Sequence, residues 1–197
     1  AILVRARSQL SSVIPMIKSL NIPYTGIDIQ PLKDQQAVID VVSLCKAICR
    51  EDDRISWLSL LRSPWCGISL IDIKKITGSF ERTIWQQLLQ FNNNPSELNL
   101  NQHSASRLDR FISIMSQALE QKQQIDLGTL TKWTWQNIGG EETLEETSIE
   151  DIELVFELIS QASVGGDLPS LSEFDQLLNG LYANAENNFN SDLNEPQ

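Results

Sequence analysis

From Ala37 onward, apolar residues recur every three or four positions, and that period commits most of the chain to helices. Ala37, Val38, Val41, Val42, Leu44, Cys45 and Ile48 form one stripe, and residues 52–61 carry another through Ile55, Trp57, Leu58 and Leu61. Ser69, with Asp72 three positions on, has the spacing of a capping box and predicts a helix over ISLIDIKKI. A short helix is expected over 79–90, through Phe80, Ile84, Leu88 and Leu89. After a polar loop over 92–103, residues 104–122 present Leu108, Phe111, Ile112, Met115 and Leu119 on one face. A helix over 127–138 stops at Gly139 and Gly140. Residues 148–162 are amphipathic through Ile152, Val155, Phe156 and Ile159, and Ser170 opens a last helix running to about 185. The fold class is therefore mainly α, with seven or eight helices over residues 32–185. Residues 186–197 are polar and expected to be disordered.

The first 31 residues differ. AILV (1–4) is a continuous apolar run, as in a buried parallel strand, and YTGIDI (24–29) is a second short strand. A helix over 8–20 lies between them, so the opening is a β-α-β edge of an α/β domain.

Several functions are disfavoured by what is absent. There is no GxxxxGK[ST] loop, no HExxH, no Ser-His-Asp set and no CxxC. Asp52 and Asp53 are adjacent, so on a helix they diverge and make a poor catalytic pair; their simpler role is to favour the positive end of a helix. The three cysteines are Cys45, Cys49 and Cys66, an odd number with no secretory signal before them, which points to reduced thiols in a cytoplasm. Cys45 and Cys49 share a helix face, but the single histidine, His103, sits in the polar loop, so no metal is expected. No apolar run reaches the roughly 20 residues of a membrane span. The start at Ala1 and not Met suggests a fragment of a longer protein, and no membrane is expected among its partners.

Charge is divided along the chain. Residues 1–132 hold all 15 basic residues against 12 acidic ones, whereas 133–197 hold 14 acidic residues and no basic one, for a total of −11. Overall acidity argues against nucleic acid, but the first two thirds, at +3, escape that objection. The acidic third is expected to be a solvated face and tail, or a surface that docks a protein partner.

One stretch interrupts the helical pattern: RSPWCGIS, residues 62–69, with a proline, a tryptophan, a cysteine and a glycine between two apolar runs. It sits within an order of motifs that resembles the C-terminal half of UvrD/Rep/RecB-type superfamily 1 DNA helicases: AILVRARSQL, then IPY, AVIDVVSLCKAI and REDDRISWLSLLRSPWCGIS. The family patterns are EIKDALxYLR and NxxDDxxFxRxxNxPxRGIG; the match covers about the first 75 residues, and the remainder agrees only in being helical. WLSLLRSPWCG is closer to the RecB-like exonuclease-helicase branch than to UvrD proper.

The resemblance implies a strip of the second RecA-like motor domain (2A) over 1–31, followed by the helical insertion called subdomain 2B. It implies no catalysis by this chain; ATP and magnesium belong to the parent helicase, with the rest of that chain as a partner. Arg5 stands where the family arginine faces single-stranded DNA, and Arg7 replaces a frequent asparagine; both also suit a solvated strand end. The family's PxRGIG turn offers backbone N–H groups to duplex phosphates. Pro64, Gly67 and Ile68 match it, while Cys66 replaces the arginine and Ser69 the last glycine. Ser69 offers its hydroxyl either to a phosphate or to the start of its own helix. Lys74 and Lys75 are the nearby cations, and Trp65 serves either the turn or the core beneath it.

Overall fold

The computed structural model describes residues 31–93, 100–144 and 149–182, together with Val4, Val13, Met16, Ile17, Ser19 and Leu20. Arg5, Arg7, the YTGIDI strand, nearly all of the AILV strand and the tail lie outside the described residues. Among the described residues the fold is mainly helical: α1 (Gln36–Cys49), α2 (Arg54–Arg62), α3 (Leu70–Ile76), α4 (Ile84–Asn93), α5 (Gln102–Gln121), α6 (Leu127–Asn137), α7 (Ile149–Ala162) and α8 (Leu171–Leu178).

The stripes define much of what is buried, but Ile55 of the 52–61 stripe is exposed, and Leu60 takes its place in the core. Helix α1 buries Val38, Val41, Val42, Leu44, Cys45 and Ile48, and packs against α2, α6 and α7. It is the central helix, and its cysteines are free thiols within the core. Helices α2 to α5 pack in sequence order, joined by Trp57, which stacks on Trp85 at 5.3 Å and meets the edge of Phe111 at 6.4 Å. Trp135 and Phe156, 5.6 Å apart, join α6 to α7. These two helices approach closely because Gly128 lacks a side chain: a Cβ there would lie 2.3 Å from the Phe156 carbonyl oxygen.

Local chemistry sets the helix ends. Asp53 caps α2, accepting from the Ser56 N–H at 3.2 Å and its hydroxyl at 2.7 Å. Helix α4 starts at Ile84 rather than Ser79, because Thr83 and Gln86 form a reciprocal capping box: Gln86 N–H donates to Thr83 Oγ1 at 3.1 Å, and Thr83 N–H to Gln86 Oε1 at 3.2 Å. Phe80 therefore falls outside the helix and is exposed, with the Arg54 guanidinium 4.4 Å over its ring. Helix α8 ends at Leu178 rather than near 185, where Asn179 and Gly180 close the last turn.

The early end of α8 returns the chain to where the helical body began. Tyr182 and Pro31 form an isolated antiparallel bridge, and Leu32 N–H donates to the Leu181 carbonyl at 3.1 Å. Leu32 itself is fully buried. The acidic last helices lean on cations from the basic part, through Lys46–Asp175 at 3.3 Å and Lys132–Glu153 at 2.6 Å.

Candidate nucleic-acid interface

Ser63 ends α2 and gives its hydroxyl to the Leu60 carbonyl at 2.6 Å; Pro64, lacking an N–H, cannot extend the helix. The chain then reverses tightly. Cys66 N–H and Gly67 N–H both donate to the Ser63 carbonyl, at 3.1 and 2.7 Å, and Ile68 N–H donates to Leu61 O at 2.9 Å. Gly67 has φ +57°, the left-handed region where a side chain is strained. The side chains of Cys66 and Ile68 are buried and pin the turn to the core.

This geometry sorts the residues singled out in the sequence. The Cys66, Gly67 and Ile68 N–H groups are internally bonded, so they do not face a phosphate. Ile68 acts as an anchor, and so does Cys66, whose thiol is pushed up to about 12 by burial. Trp65 is half-buried against the core. The Ser69 hydroxyl caps α3: it accepts from Asp72 N–H at 3.1 Å and donates to Asp72 Oδ2 at 2.9 Å. Pro64, Gly67 and Ser69 remain exposed at the surface of the turn, as do Lys74 and Lys75 on α3. Lys75 lies 3.2 Å from Asp72, so its charge is partly balanced. Leu70 and Ile71, both strongly exposed, give the start of α3 an apolar edge.

Asp72 organises this corner. Its carboxylate is buried and accepts from Ser104 Oγ at 2.7 Å, from Ser69 and from Lys75. The Ser104 bond above all, then those of Ser69 and Lys75, holds its pKa below the usual 3.8 despite burial. A depressed native pKa means that the unfolded chain binds more protons, so the stabilisation is complete above pH 3.8 and is lost as pH falls through the native value. Asp72→Asn is expected to cost about 2 kcal/mol near neutral pH. It should also flatten the acid limb of stability, as followed by thermal melting against pH; an unchanged limb would remove Asp72 from this role.

The Ser104–Asp72 bond also fixes how α5 meets the turn, and it brings two arginines that sequence reasoning passed over. Arg107 donates from Nη1 to the Gly67 carbonyl at 3.4 Å, and its charge is felt at the Cys66 thiol. Arg110 donates from Nη2 to the Asn137 carbonyl at 2.8 Å. Their only sequence signal was their place, three and six residues after Ser104, at the margin of the α5 stripe. Between them lies a cavity of about 220 Å³ bounded by Pro64, Trp65, Ile138 and Glu142.

The corner gathers the cations Arg107, Arg110, Lys74 and Lys75. Among the described residues no cluster of three or more His, Cys, Asp or Glu is placed to hold a metal ion, and no helix is long and apolar enough to cross a membrane. No family model matches the chain, and no curated protein matches it.

Proposed function

We propose that residues 31–182 form an accessory subdomain inserted into a UvrD/RecB-like ATP-dependent DNA helicase or helicase-exonuclease acting in repair or recombination. The observation that carries this is the bridge between Pro31 and Tyr182, beside the Leu32–Leu181 hydrogen bond. A body whose chain enters and leaves side by side can be inserted in a host domain without disturbing it. In this reading the preceding residues belong to the 2A motor domain, with Arg5 and Arg7 on the single strand. The helical body meets the duplex through the corner around residues 62–75 and swivels as a unit. The parent supplies ATP, magnesium and hydrolysis; this chain supplies orientation. The buried free thiols suit a reducing cytoplasm.

A second reading is a helical module that docks a protein. It is favoured by a groove of about 600 Å³ between α1 and α2, lined by Ile39, Ile55 and Leu58, with Ile55 exposed. The acidic last third offers a further surface for such a partner.

Salt separates the two readings. The chain is expected to bind duplex DNA at low salt and to lose affinity steeply as salt rises, as phosphate contacts require. Fluorescence anisotropy with a labelled duplex measures this. Absence of duplex binding at every salt concentration, with a partner subunit retained in purification, would transfer the function to the docking reading. ATP hydrolysis by the isolated chain would contradict the helicase-accessory reading outright.

A further inference from the structure

We propose that Arg107 and Arg110 on α5 form the phosphodiester-binding site of this corner, at the cavity beside Pro64 and Trp65. The inference rests on the duplex-binding reading above and names the residues that carry it.

Two guanidiniums three residues apart share one helix face, and like charges so placed repel. Each is held by a backbone carbonyl: Arg107 by Gly67 O at 3.4 Å and Arg110 by Asn137 O at 2.8 Å. Neither is ion-paired among the described residues. A carbonyl fixes orientation but does not cancel charge, so both cations are positioned without a direct ion-pair partner among the described residues. Each guanidinium carries five N–H donors, leaving most of them for an incoming anion. One carboxylate, Glu142, also borders the cavity, so two positive charges face one negative. An anion between the arginines relieves their repulsion, and a phosphate accepts forked donors from both.

The other polar groups of the corner fit less well, and exposed Lys74 offers a compact ammonium without the forked donors of a guanidinium. Lys75 is paired with Asp72, and the Ser69 hydroxyl is engaged in its cap. The N–H groups of Cys66, Gly67 and Ile68 are already bonded within the turn. A duplex phosphate meeting this corner therefore finds its strongest donors on α5. Contacts of this kind position a duplex without distinguishing its sequence.

The test is duplex affinity of the full chain against salt. Arg107→Ala and Arg110→Ala are each expected to lower the log–log salt slope by about 0.9, equally for unrelated sequences. Arg107→Lys should keep the slope and lose part of the affinity, because the charge stays and the fork goes. Glu142→Gln should tighten binding several-fold, a gain that a merely destabilised protein does not produce. Lys132→Ala, whose charge is held by Glu153, should leave the slope unchanged. Wild-type slopes in both arginine variants, with a fall in Lys74→Ala, would overturn the assignment and leave the helicase-type reading standing. A wild-type chain that binds no duplex at low salt would bring down both.

Discussion

Trp57→Ala is expected to remove about 3 to 5 kcal/mol of stability, a large share of what a domain of this size has. Trp57 is fully buried where α2, α4 and α5 converge. Its ring stacks on Trp85 and takes the edge of Phe111, so truncation opens a cavity bordered by two other aromatics that cannot collapse together without moving their helices. Its indole N–H also donates to the Arg50 carbonyl at 3.3 Å, in the loop before α2. Alanine removes that bond and leaves the carbonyl only the Asp53 N–H, 3.2 Å away, as donor. Trp57→Phe keeps much of the stacking surface and loses only the hydrogen bond and part of the volume, so it should cost clearly less. Urea denaturation should show a lower midpoint with an unchanged slope, the mark of lost stability rather than altered compactness. A loss below about 1 kcal/mol for the alanine variant would mean that these helices do not depend on the tryptophan. Because α5 carries Arg107 and Arg110, a loosened Trp57 cluster should also weaken duplex binding without any change at the cations themselves.

Much of the helical body was legible because burial follows period. The stripes of α1, α5 and α7 named core residues correctly, since a helix with one apolar face has one way to pack it. Boundaries followed local chemistry where the capping residue stood out, as at Ser69 and Ser170. They failed where two signals competed. Phe80 extended an apolar pattern backward past Thr83, but the Thr83–Gln86 box determines the start of α4. The same error hid Trp85 and Phe91, which belong to the face that α4 actually buries. At the turn, Pro64 and Gly67 were visible because their backbone requirements are written in single residues. The inward direction of the Cys66, Gly67 and Ile68 N–H groups was not, since it depends on where Ser63 and Leu61 leave their carbonyls. Arg107 was the least legible: it lies 40 residues from Gly67 in sequence, and tertiary contacts, the Ser104–Asp72 bond and the packing of Phe111 on Trp57, bring it there.

Gly67→Asp is expected to reduce the salt slope of duplex binding by about 1.8, the equivalent of two lost phosphate contacts. The backbone at φ +57° costs a side-chain-bearing residue about 1 to 2 kcal/mol, somewhat less for aspartate, which tolerates this region. A Cβ at this position would lie 2.4 Å from Arg107 Nη1, so the guanidinium must move. It is the end of a flexible side chain and can do so cheaply. With aspartate it moves toward a new carboxylate, which takes its charge and opposes any phosphate reaching Arg110. Gly67→Ala displaces the same guanidinium and strains the same backbone but adds no charge. Its melting temperature should therefore lie at or below that of Gly67→Asp, while its slope falls by less than about 0.9. The pair separates strain from electrostatics, because a purely structural turn predicts two variants with equal binding. Equal, wild-type-like slopes in both would make residues 62–69 a connection between helices and nothing more.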